Sequence, residues 1–191
     1  MHHFRAPDAR RFVSASLMIG IAFVIFGASF GVLSVSAGAS VAQSCAMSLL
    51  VFTGASQMSA VSVLASGGTV ASAFGGAVLL SGRNAVYGLA MSPVLKEGSL
   101  ASRLLGAQWV IDETTAIVSA ETDPTTRRTA FWISGAILYA SWNIGTLLGA
   151  LVGSSINPSD FGLDAAFPVM FTAMIAPHLR TSAGRKAALF G

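Results

Sequence analysis

Charge is what this sequence has least of. Only 10% of its 191 residues are Asp, Glu, Lys or Arg, where soluble domains carry about 25%. From Phe12 to Gly82 there is none. With 53% hydrophobic residues and a mean hydropathy of +0.71, the chain cannot cover a water-facing surface with polar groups, so its solvent is the lipid bilayer. Cysteine is nearly absent too. The single Cys45 excludes an intrachain disulfide and any cysteine-based metal cluster. Alternating runs of about 10 residues, the mark of barrel strands, are missing, so the apolar segments read as helices. There is no GxSxG, no HExxH, no metal-spaced histidine pair and no P-loop. No enzyme activity and no cofactor are therefore expected, and any transport is not driven by this chain's own ATP hydrolysis. The formal net charge of +3 comes from basic ends and loops. It reads as the positive-inside signal of a membrane protein, and no nucleic acid partner is expected.

Six apolar segments can be drawn, at about 13–37, 41–66, 69–95, 101–120, 129–155 and 163–180. A membrane-crossing helix needs about 20 residues, so the expected fold is an all-α polytopic membrane protein of about six transmembrane helices. It would form one domain over residues 1–191, embedded from 12 to 180. The first run is too long for the 7–15-residue apolar core of a signal peptide and reads as an uncleaved helix. Arg5, Arg10 and Arg11, then Arg127 and Arg128, then Arg180, Arg185 and Lys186 fall on one face of a six-crossing scheme, which makes both termini cytoplasmic. Lys96 and Arg103 break that scheme by falling on the outer face, which leaves room for 101–120 to be re-entrant. Gly27-x-x-x-Gly31 in the first segment is echoed by Gly145-x-x-x-Gly149 in the fifth. The echo points either to an internal repeat or to close helix packing alone.

Polar residues stand at the centres of several segments. The hexapeptide Phe52-Thr53-Gly54-Ala55-Ser56-Gln57 lies at the middle of the second, where an anchor would carry Leu, Ile or Val. Thr53, Ser56 and Gln57 can hydrogen-bond a small ligand, and Gly54 and Ala55 let the backbone open. Helices interrupted at the midplane form substrate sites in secondary transporters; small-residue packing would use the same residues. Arg83 and Asn84 occupy the centre of the third segment, where arginine costs about 2.5–3.5 kcal/mol on insertion scales. Asp112 and Glu113, in the fourth, point about 100° apart on a helix. One can pair with Arg83 while the other takes and releases a proton. Otherwise the three form a structural ion pair, or the acids sit at the interface in water. Trp109 adds an apolar surface nearby, and Asn143 a further amide in the fifth segment.

Together these motifs resemble the AzlC-type branched-chain amino acid permease family. The resemblance rests on FTGASQ, GRNAVYGLAMSP, VIDETTA, SWNIGTLLGALVG and GLDAAFPVMFTAMIAPHLR in that order. It implies a bacterial inner-membrane exporter of leucine, isoleucine and valine or their analogues, working with a small hydrophobic AzlD-type membrane subunit. It places the polar centre at Thr53 to Gln57, Arg83 with Asn84, and Asp112 with Glu113. Asn84 stands where many members carry His or Tyr; an amide does not titrate, which removes proton coupling from that position. Members usually continue past the PHLR region, whereas this sequence stops at Gly191. The substrate's carboxylate is expected at Arg83 or the opened backbone at Gly54. Its ammonium is expected at Asp112 or Glu113, and its side chain near Phe52 and Trp109. The competing expectation is a non-transporting membrane subunit that assembles with and stabilises another membrane protein.

Overall fold

The computed structural model describes residues 6–155, Glu97 apart. The sixth expected segment, with its PHLR motif and basic tail, lies outside the described residues, as does Arg5. The described chain is all helix: α1 (Ala6–Ser36), α2 (Val41–Leu50), α3 (Gly54–Ala65), α4 (Val70–Leu95), α5 (Leu100–Gln108), α6 (Asp112–Ser119) and α7 (Pro124–Gly153). Each start except those of α3 and α6 has a local cause where its cap is described. Ser40 and Gln43 form a reciprocal capping box on α2. Thr69 and Ser99 accept from the amides of Ser72 and Ser102, three residues on, at the starts of α4 and α5, and Asp123 caps α7 ahead of Pro124. Each cap satisfies an amide that the helix itself leaves without a partner.

The frame is the pair α1 and α7, the two helices among the described residues that are long and apolar enough to cross a membrane. They run parallel. Phe12 shares a cluster with Ala130 and Phe131, Gly20 faces Ser141, and Gly153 faces Val32. At the crossing, Gly27 and Gly31 lie against the carbonyls of Trp142 and Thr146, while Gly145 and Gly149 lie against those of Val24 and Ala28. The echoed GxxxG motifs are thus the two halves of one interface, where backbones touch because no Cβ intervenes.

Segment 41–66, drawn as one crossing, instead folds back on itself, and 101–120 takes the re-entrant course that Lys96 and Arg103 left open. α2 descends along α1: Ser44 Oγ donates to Ser34 Oγ at 2.8 Å, and Phe52 reaches Phe23. After a break at 51–53, α3 returns. It runs antiparallel to α4, with Ser56 bonded to Ser81 at 2.8 Å and Ser59 opposite Gly76. α4 then runs antiparallel to α1, its Arg83 sharing a cavity with Ile19 to Phe26 and its Met91 and Val94 packing with Phe12 and Phe131. The next turn therefore lies beside the start of α7, where a side chain on Gly98 would stand 3.9 Å from Arg128 Nη2. From that end α5 rises until Trp109 meets Gly135 and Tyr139. α6 descends again, so that Val118 rejoins the Phe12 cluster and Glu121 pairs with Arg11 at 2.7 Å.

The described residues therefore form three long helices, α1, α4 and α7, alternating in direction, with two helical hairpins entering from opposite ends. Both hairpins turn at three aromatic or β-branched residues, Val51-Phe52-Thr53 and Trp109-Val110-Ile111. Such residues lose side-chain freedom in a helix and here are held by tertiary contacts. Phe52 packs edge-on to Tyr139, 5.2 Å between centroids, and Trp109 lies 5.8 Å from the same ring. The fold-back also explains Lys96. It lies at the same end as Arg10, Arg11, Arg127 and Arg128, so the basic residues of the described loops no longer divide between two faces.

Candidate functional site

The two hairpin tips meet between the long helices, near the middle of α1, and enclose a cavity of about 260 Å³. That lies below the 300–1,000 Å³ usual for drug-sized ligands, so it fits a small metabolite. α3 contributes its uncapped N-terminus. Thr53 precedes it without a side-chain cap, and the first-turn residues Gly54 and Ala55 line the cavity with Phe52 and Thr53. Gly54 is small because the Trp142 ring lies where its Cβ would be, 2.9 Å away. α6 begins at the cavity as well, and Asp112 and Glu113 are its first two residues. Its apolar N-cap, Ile111, cannot satisfy the helix end; Thr114 Oγ1 accepts from the Ile111 amide instead and donates to the Trp109 carbonyl at 2.7 Å.

Electrostatics distinguish the two helix ends. Each N-terminus carries the positive pole of its helix. In α6 that pole is offset by its own Asp112 and Glu113, whereas α3 has no acidic residue in its first turn. Arg83, from the middle of α4, forms an ion pair with Asp112 at 2.7 Å. The side chains are 43% and 36% exposed, so the pair is open to an incoming group. The cavity thus has a cationic group, Arg83, and the positive pole of α3, with the anionic Asp112 in contact with Arg83 and Glu113 beside it. Three residues lining it also keep buried polar atoms without a protein partner: Thr53 Oγ1, Asp112 Oδ1 and Trp142 Nε1. A polar atom left buried and unbonded costs about 1–3 kcal/mol, and a ligand carrying both donors and acceptors would relieve that cost.

Of the residues singled out from the sequence, Phe52, Thr53, Gly54, Ala55, Arg83, Asn84, Asp112 and Glu113 line this cavity. Ser56, Gln57, Trp109 and Asn143 do not. Ser56 joins α3 to α4 through Ser81. Gln57 is wholly buried and donates to the Met47 carbonyl at 3.2 Å. Trp109 packs against Gly135 and Trp132. Asn143 accepts from Ser48 Oγ at 2.8 Å, fastening α2 to α7. The sequence reading missed the apolar wall from α1, namely Ile19, Ala22, Phe23 and Phe26, and also Trp142 and Met58. Among the described residues no group of His, Cys, Asp and Glu is placed to hold a metal ion.

Short helices that begin at a cavity between long apolar helices, one of them with charged residues in its first turn, are a feature found in secondary transporters. The chain is a member of the AzlC family, whose model matches residues 18–156 under the description AzlC protein. It is 27% identical to the Inner membrane protein YgaZ of Escherichia coli (strain K12) over 191 residues, covering 96% of this chain and 78% of that one. It is also 24% identical over 194 residues to an uncharacterized membrane protein of Helicobacter pylori strain 26695, spanning 100% of this chain and 84% of the relative. No solved structure matches.

Proposed function

We propose that this protein is the transporting subunit of a secondary transporter that exports branched-chain amino acids across the bacterial inner membrane. The observation that carries the reading is the Arg83–Asp112 pair beside Glu113 in a small, otherwise largely apolar cavity at the hairpin tips. An amino acid is a zwitterion on an apolar stem, and this cavity offers a counterpart to each part. The carboxylate is assigned to Arg83 and the uncapped α3 N-terminus, because α6 already carries its own acids. The ammonium is assigned to Asp112 and Glu113. Insertion of the substrate between Arg83 and Asp112 exchanges one ion pair for two, so neither protein charge is left alone in a dry site.

Alternating access would come from the two hairpins, one closing each end of the cavity. Their opposed entry, α1 leading to one and α4 to the other, is consistent with an inverted repeat. Glu113 is the proposed proton carrier, since Asp112 is held by Arg83. The basic end, with Arg10, Arg11, Lys96, Arg127 and Arg128, is assigned to the cytoplasm. A small hydrophobic AzlD-type subunit is the proposed partner.

The test is efflux of preloaded leucine, isoleucine and valine from cells expressing this chain, with and without such a partner, beside an Arg83→Ala variant of matched abundance. Faster efflux that Arg83→Ala abolishes is expected. Efflux unchanged by Arg83→Ala would remove the site from this cavity. Absence of efflux even with the partner would return the reading to a non-transporting subunit.

A further inference from the structure

Building on the transport reading above, we infer that the face of α1 carrying Ile19, Ala22, Phe23 and Phe26 is the sieve that selects the substrate's side chain, and that Ala22 sets its size limit. The four residues fall at i, i+3, i+4 and i+7, one stripe of a helix, and all four line the cavity. α1 brings no polar atom there, whereas every charged group comes from α4 or α6. An amino acid held by its charged end at Arg83, Asp112 and Glu113 must therefore direct its side chain at the surface left apolar.

That wall cannot recede. Gly20, in the first turn of the stripe, stands against Ser141, and Gly27, just past its end, against the Trp142 carbonyl, so α1 is fixed to α7 along the stripe. Within the wall the positions differ. Phe23 is locked between Phe52 and Trp142, 6.3 and 5.9 Å from their centroids. Phe26 is 40% exposed and lies at the rim. Ala22 alone offers a single methyl, so the space in front of it is where a branched side chain fits. Beside Ala22 on α1, Met18, Ile21 and Ile25 are exposed and, like Leu17, do not line the cavity.

The experiment compares efflux of alanine, leucine and phenylalanine in the full chain, with the partner present and abundance matched, for the wild type, Ala22→Val, Ala22→Gly and Ile21→Ala. One methylene in an apolar pocket discriminates by about 10–200-fold. Ala22→Val is expected to lower the leucine-to-alanine ratio by about tenfold or more. Ala22→Gly should move selection the other way, raising phenylalanine relative to leucine, and Ile21→Ala should leave all ratios unchanged. Parallel changes in all three fluxes, with ratios as in the wild type, would overturn the sieve while leaving transport intact. A wild-type chain that moves no amino acid would overturn the transport reading, and the sieve with it.

Discussion

The side-chain amide of Gln108, at the end of α5, donates to the carbonyl of Leu49, in the last turn of α2, and so ties one hairpin tip to the other. Tyr139 of α7 donates its hydroxyl to the same carbonyl at 2.9 Å. A carbonyl in the last turn of a helix has no partner within that helix, and inside a membrane water is not there to supply one. Two donors from two other elements therefore hold the break in segment 41–66 in place.

Removing these donors should be non-additive. Tyr139→Phe or Gln108→Ala alone leaves the Leu49 carbonyl one donor, and each is expected to cost about 1 kcal/mol. The double variant orphans the carbonyl and should cost more than the sum of the two, by about 1 kcal/mol or more. Thermal melts of the four proteins in one detergent measure this. Simple additivity would mean that the two bonds act independently and that leaving the carbonyl without either adds no further cost.

The glycines make a sharper contrast. A side chain at Gly149 would meet the Ala28 backbone and one at Gly31 the Thr146 backbone, whereas a Cβ on Gly75 meets nothing within 4 Å. Gly149→Val and Gly31→Val should force α1 from α7 and abolish folded protein, read as monodisperse material after extraction. Gly75→Ala should fold as well as the wild type or better, since alanine is favoured over glycine in helices by up to about 1 kcal/mol. Equal tolerance at all three positions would contradict the parallel α1–α7 crossing.

The polar centre of the site is legible in the sequence and the course of the chain around it is not, each for a physical reason. The break at Thr53-Gly54 was legible because small polar residues interrupt an otherwise apolar run. Arg83, Asp112 and Glu113 stood out because charge is costly at that depth. The direction of the chain after each break was not legible. Segment 41–66 is long enough for one crossing, and apolar patterning is the same whether α3 continues or returns. Lys96 and Arg103, on the wrong face of a six-crossing scheme, were the one trace of the fold-back. Trp109 and Asn143 stand out in the sequence by size or polarity, yet their side chains face α7 and α2, and spacing alone does not say which neighbour a helix face meets. The α1 wall left no mark at all, because apolar residues lining a cavity look like apolar residues facing lipid.

The Arg83–Asp112 pair invites a test that separates structure from function. Arg83→Gln leaves two carboxylates in the site without their cation, and abundance should fall, because an uncompensated charge at this depth costs about 2.5–3.5 kcal/mol on insertion scales. Adding Asp112→Asn removes one of those charges, and abundance should recover toward the wild type. Efflux should not recover, since the substrate's carboxylate has lost its partner. Recovery of both abundance and efflux in the double variant would make the pair a structural element only.

The fold-back itself can be tested by sidedness, because the two topologies disagree at two loops. In a Cys45→Ser background, single cysteines at Ala39, Ser66, Lys96 and Thr122 report which face each turn occupies when labelled with a membrane-impermeant thiol reagent. Straight crossings would alternate, placing Ala39 and Lys96 outside and Ser66 and Thr122 inside. Hairpins that enter and leave from one end pair them differently. Ala39 and Ser66 should label together from the periplasm, and Lys96 and Thr122 should label only after the membrane is opened. The pairing follows from Ser56 lying opposite Ser81 and from Gly98 lying beside Arg128. It also accounts for the sign of the loops, since Lys96 then joins Arg10, Arg11, Arg127 and Arg128 on one face, the one proposed above to be cytoplasmic because basic residues are retained there. Labelling of Ser66 from the opposite side to Ala39 would restore a straight second crossing and remove the outer hairpin from the mechanism.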